Sequence, residues 1–209
     1  DRRVPGRIVQ WYGINLASKV KFIHIFRDPV ARFHSHYWKA IDKIWCVSLS
    51  LYSIHRVTQM AMEGDAKMFE DGGAFGGCGD LLEAGYYTKQ ISYWWEFYPS
   101  QQFIYIPFRL ALQINKVPDP TYPKPHRFIW QMLGVRGKEP TITYENSNQH
   151  GKLEEDLDPD QLRAFRQHLY QTNSPHLIAT MVAPSNATLY GFTEERTVPA
   201  VAAWLASNW

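Results

Sequence analysis

Apolar and polar positions along this chain mark out a few strands set among many helices. Val20 to Phe26 is an apolar, β-branched-rich run, the pattern of a strand buried on both faces of a parallel sheet. Asp28 and Pro29 follow it as an N-cap and a favoured first helical residue. The helix they open is predicted from Val30 to about Ile44, and Asp28, Arg32 and Ser35 share one of its faces at i, i+4 and i+7. Upstream, residues 4–16 carry a weaker helical pattern.

Beyond Ile44 the pattern stays mostly helical. Residues 48–69 form a Leu-, Ile- and Met-rich helical stretch, and 71–79 a glycine-rich loop. Tyr87, Ile91, Trp94, Trp95 and Tyr98 make an aromatic stripe on a helix over about 82–98, which Pro99 stops. Gln102 to Ile106 reads as a second strand. A short helix from Arg127 to Leu133 ends at Gly134, and 137–157 is a polar connection. Asp158-Pro159-Asp160-Gln161 has the form of a capping box at the start of a helix reaching about Gln171. Helices near 175–183 and 197–207 complete the chain. The order strand, helices, strand predicts an α/β fold, a parallel sheet flanked by helices with a helix-rich C-terminal half. We read 1–209 as a single domain in which 45–80 is a helical, Gly-rich insertion.

Composition fits a folded domain: 209 residues, 45% hydrophobic and 15% aromatic. A net charge of +2 argues against a bulk electrostatic grip on nucleic acid. No run of eighteen apolar residues is present, so a membrane link is expected only through an upstream anchor. Cys46 and Cys78 are too few for a disulfide framework or a zinc site; one bridge and two thiols are both open. Asn186-Ala187-Thr188 is an N-glycosylation triplet.

The candidate chemistry gathers at the first strand end. An arginine after a buried strand, followed by a helix N-terminus, suits an anion, because the fork of Arg27 and unpaired N–H groups both favour negative charge. Ser35 adds a hydroxyl donor. Alone, such an arginine would usually form a salt bridge. Arg32 reads more simply as a brace, paired at i, i+4 with Asp28. Tyr37 and Trp38 read as packing residues. His34 and His36 point to different faces, no His-Glu-x-x-His pattern exists, and no histidine is named as a base. The glycines at 72–79 lack a following Lys-Ser/Thr and are not a phosphate loop.

Arg27-Asp28-Pro29-Val30-Ala31-Arg32-Phe33-His34-Ser35-His36-Tyr37 resembles the 3′-phosphate-binding motif of sulfotransferases that use 3′-phosphoadenosine 5′-phosphosulfate (PAPS), in the form typical of the glycan-modifying branch. Lys21 and Val4-Pro5-Gly6-Arg7-Ile8 are similar to that family's lead-in. Gly85-Tyr86-Tyr87 through Trp94-Trp95-Glu96-Phe97-Tyr98-Pro99 resembles its Gly-x-Tyr helix. Phe108-Arg109-Leu110 stands where the family often has Glu-x-Leu, a departure. His150-Gly151-Lys152 is a weaker echo of the basic loop that closes over the nucleotide.

The resemblance implies a P-loop-NTPase-like sulfotransferase fold, incomplete at its N-terminal side, with Arg27 and Ser35 on the 3′-phosphate and Gly151 and Lys152 on the nucleotide. It implies transfer of a sulfuryl group from PAPS to a hydroxyl or amine of a carbohydrate acceptor, without a metal or nucleic-acid partner. The Golgi lumen or membrane is the implied compartment, with the cytoplasm as alternative. The family's phosphate loop, lysine and base have no counterpart in the twenty-six residues before Arg27 and are expected upstream of residue 1. The rival readings are a non-catalytic nucleotide-binding scaffold of the same fold and a P-loop nucleoside kinase.

Overall fold

The apolar run after Val20 becomes β1 (Phe22–Phe26) in a computed structural model that describes residues 4–42, 51–63, 81–82, 85–112, 125–134 and 156–209. It pairs in parallel with β2 (Phe103–Pro107), in a register running from Phe22 opposite Phe103 to Phe26 opposite Pro107. The two-residue β3 (Thr188–Leu189) lies parallel on the other side of β2, with Ile104 opposite Thr188. Among the described residues the architecture is α/β: a small three-stranded parallel sheet in the order β1-β2-β3, flanked by helices that make up most of those residues.

Position in the sheet decides burial. Central β2 is buried at all five residues, as a strand covered on both faces must be. At the edge, β1 buries only the face of Phe22 and Phe26, with His24 between them, while Ile23 and Ile25 on the opposite face are 41% and 51% exposed. The expectation that this strand is buried on both faces is therefore corrected: an unbroken apolar run fits an edge strand as well as a central one.

The remaining elements are α1 (Val4–Ala17), α2 (Pro29–Asp42), α3 (Ile54–Met62), α4 (Tyr87–Trp95), α5 (Phe108–Leu112), α6 (Pro125–Met132), α7 (Pro159–Asn173), α8 (Pro175–Val182) and α9 (Val198–Asn208). A 3₁₀ turn, Ser100–Gln102, leads into β2. The short β3, α5 and the 3₁₀ turn have no counterpart among the predicted elements. The expected insertion is described only at 51–63, where α3 forms behind a Ser53 cap whose hydroxyl accepts from Arg56 N–H. The glycine cluster, Cys46 and Cys78 lie outside the described residues.

The chain divides into two compact units. The first comprises the described residues within Asp1–Arg27, Lys89–Glu145 and Pro175–Trp209, and contains the sheet. Its core is aromatic. Phe22 lies 4.6 Å from Tyr98, 5.0 Å from Trp94 and 5.1 Å from Phe103, while Phe26 stacks on Tyr105 at 5.0 Å. The aromatic stripe is thus core, as its spacing predicted. The buried Gln102 carboxamide donates to the carbonyls of Ala17 (2.9 Å) and Val20 (2.7 Å), and Lys21 Nζ donates to the Gln101 carbonyl (2.9 Å). These bonds tie the turn before β1 to the turn before β2, and satisfy polar groups that would otherwise be costly to bury.

The second unit comprises the described residues within Asp28–Thr88 and Asn146–Ser174. Its core joins Val30, Phe33, Tyr37 and Ala40 of α2, the helical spacing that buries one stripe, to Val57 and Met60 of α3 and Phe165 and Leu169 of α7. Phe33 meets Phe165 edge-on at 4.8 Å. Asp158 caps α7 by accepting from the N–H groups of Asp160 and Gln161. The expected reciprocal half of a capping box does not form. Gln161 instead donates to the His55 carbonyl and to Thr58 Oγ1, both at 2.8 Å, and so fastens α7 to α3.

Candidate functional site

Arg27 is the first residue after β1, at the carboxyl end of a strand in a parallel sheet, and is half-buried. Ligands of open parallel α/β sheets collect at that end of the strands. Its guanidinium lies over the Phe108 ring, 4.7 Å from the centroid, and Phe108 is itself the first residue after β2. A cation on an aromatic face keeps its charge while losing some freedom, which pre-orients it for an anion. Arg27 belongs to the first unit. Ser35 belongs to the second, half-buried on α2 and two helical turns in from its start.

The start of α2 is already committed to its own cap. Asp28 Oδ1 accepts from Ala31 N–H at 2.8 Å, the Asp28 carbonyl accepts from Arg32 N–H, and Pro29 has no N–H to offer. The other carboxylate oxygen, Oδ2, accepts from the Tyr170 hydroxyl of α7. Burial pushes the Tyr170 phenol well above its ordinary value, and the Asp28 carboxylate raises it further. A carboxylate thus occupies the end of the helix that favours an anion.

Arg32 is turned into the second unit. It donates to the Leu81 carbonyl, and its Nη1 lies 3.2 Å from His36 Nδ1, which must then be the unprotonated nitrogen of that ring. Above it lies Gly85, where a Cβ would sit 3.2 Å from Arg32 Nε and 3.6 Å from Pro29 Cβ. The two segments that carry the family resemblance therefore meet within one unit, where Gly85 lies close against the Arg32 guanidinium. The sequence spacing suggested a local brace to Asp28, whereas the contacts described run to Leu81 and His36.

The other singled-out residues are structural. Tyr37 is buried and donates to the Tyr52 carbonyl at 2.8 Å; burial, then the Asp156 charge, raises its phenol above the ordinary value. His34 is buried with Nε2 2.7 Å from Asp156 Oδ2, and Trp38 Nε1 lies 3.0 Å from that nitrogen and 3.2 Å from that oxygen. Nε2 cannot donate to Asp156 and also accept from Trp38, so both N–H groups are best satisfied by the carboxylate. That commits Nε2 and leaves it unsuited to take a proton from a substrate. Gly151 and Lys152 lie outside the described residues.

The chain matches no family model, no curated protein and no solved structure. Among the described residues, no group of three or more His, Cys, Asp or Glu side chains is arranged to hold a metal ion, and no helix is long and apolar enough to cross a membrane. Sequence reading left out Asp156 and Tyr170, and named Phe108 and Gly85 only for the family resemblance, without their contacts to Arg27 and Arg32. Gly85 had a signal, as the glycine before an aromatic helix, but its contact with Arg32 depends on chain fifty residues away.

Proposed function

We propose that this chain is the 3′-nucleotide-binding portion of a PAPS-dependent sulfotransferase of the sulfotransferase fold. In this reading Arg27 and Ser35 hold the 3′-phosphate that distinguishes PAPS from ATP, and Gly151 and Lys152 contact the nucleotide. The sulfuryl group passes in line from the donor's 5′-phosphate to a hydroxyl or amine of a carbohydrate acceptor, leaving 3′,5′-adenosine bisphosphate. As in phosphoryl transfer, positioning and charge stabilisation supply the rate. The residues named bind and orient the donor, and no proton transfer is assigned to them. The Golgi lumen is the compartment that suits a carbohydrate acceptor.

One observation carries the reading: an Arg-Asp-Pro-x-x-Arg-x-x-Ser-x-Tyr segment whose arginine stands at the carboxyl end of a parallel strand, its guanidinium over Phe108.

The test is retention on immobilised 3′,5′-adenosine bisphosphate. Loss of one partner of a charged pair costs about 2–5 kcal/mol, so Arg27→Ala should weaken binding ~30-fold or more. Failure of the unaltered chain to bind, equal retention of Arg27→Ala, or elution by ATP as readily as by the bisphosphate would each refute the proposal.

A further inference from the structure

Asn186-Ala187-Thr188 is the only Asn-x-Ser/Thr triplet with a non-proline centre in the sequence. The triplet lies in the first unit, at the entry to β3, and its three residues are held quite differently. Asn186 is exposed, and among the described residues its carboxamide has no hydrogen-bond partner. Its backbone N–H is fixed on Ser100 Oγ at 3.2 Å. Ala187 is buried at 1% exposure, its carbonyl accepting from Arg196 Nη1 at 2.8 Å. Thr188 is half-buried and pairs with Ile104 in the sheet. The backbone is therefore anchored on both sides of an asparagine whose side chain is exposed.

We infer that Asn186 is an N-glycosylation site. A sugar attached to the emerging chain would remain in solvent once β3 docked, so modification and folding are compatible at this position. The reaction needs a polyprenyl-pyrophosphate-linked oligosaccharide, the donor of the secretory pathway. The Asn186 carboxamide nitrogen bonds to C1 of the first sugar, the C1–O bond to pyrophosphate breaks, polyprenyl pyrophosphate leaves, and one amide proton is released. The Thr188 hydroxyl is the recognition element. The inference is independent of the nucleotide site, though both imply a lumenal protein.

The chain is expressed behind a cleavable signal peptide in a eukaryotic secretory host, and its electrophoretic mobility compared before and after peptide-N-glycosidase. One glycosidase-sensitive shift is expected, absent in Asn186→Gln and Thr188→Ala and kept in Thr188→Ser. An unshifted chain with its signal peptide removed, or a shift that survives Asn186→Gln, overturns the assignment. Retention on the bisphosphate resin is measured on the same material: retention without a shift refutes this site alone, and a shift without retention refutes only the nucleotide reading.

Discussion

His24 should make the first unit labile to mild acid. It lies on the buried face of β1, with the rings of Phe103, Tyr105 and Trp94 at 5.4, 5.5 and 6.0 Å, all meeting it edge-on. Burial among these rings pushes its imidazole from 6.5 down to about 4. Between those values the unfolded chain binds the proton and the folded chain resists it, so stability is present above pH 6.5 and drains away as pH falls toward 4. At about 1.4 kcal/mol per unit, the loss across that window is ~3 kcal/mol. Urea unfolding of the unaltered chain and of His24→Phe, from pH 7 down to 4, isolates the effect, since the carboxylates common to both chains cancel. The unaltered chain should lose ~3 kcal/mol more than the variant, mostly below pH 6. If the two curves fall in parallel, the imidazole is not buried as described and the argument fails. Any constant offset between them at pH 7 reports packing and does not bear on the question.

Gly85→Ala should destabilise the second unit by about 1–3 kcal/mol, because the new Cβ meets Arg32 Nε at 3.2 Å and cannot swing away. The cost should shrink in an Arg32→Ala background, so additive urea midpoints would refute a direct clash. Tyr170→Phe removes the hydroxyl that donates to the Asp28 carboxylate and should cost about 1.5–3 kcal/mol, the range for a hydrogen bond to a charged group. An unchanged thermal midpoint would show that this bond between α7 and the start of α2 is of no consequence.

What the sequence disclosed divides along a physical line. Elements specified by neighbours in the chain were legible: β1 and β2 from their apolar runs, α2 from Asp28-Pro29, the end of α6 from Gly134, which adopts a left-handed φ of 64°. Features set by distant chain were not. Gln161 has a capping-box position, yet its amide is drawn off by the His55 carbonyl and Thr58 of another helix. Arg32 has a pairing position, yet Leu81 and Gly85 determine where it points. The exposed face of β1 could not be foreseen because periodicity carries no information about a strand's place in the sheet. Two residues of β3 are too few for any pattern to register. For the candidate site, the location of Arg27 at a strand end and Ser35 on α2 followed from local signals; the competing carboxylate of Asp28 at the helix N-terminus was implicit in the same N-cap that predicted the helix.

The register of the sheet also sets a schedule for folding. Phe22 pairs with a residue about eighty positions later in the chain, and Ile104 with one about as far beyond it. Pairings this remote carry a loop-closure penalty before they return any free energy, so they form late and slowly. During synthesis, at roughly 5–20 residues per second, β1 would spend on the order of ten seconds outside the ribosome before β2 arrives. Throughout that interval Phe-Ile-His-Ile-Phe offers an unpaired apolar edge to any other strand. Recombinant yield should therefore depend on dilution and chaperone supply more than on final stability. A truncation ending before Phe103 would leave β1 with no neighbouring strand among the described residues, and would be expected to aggregate.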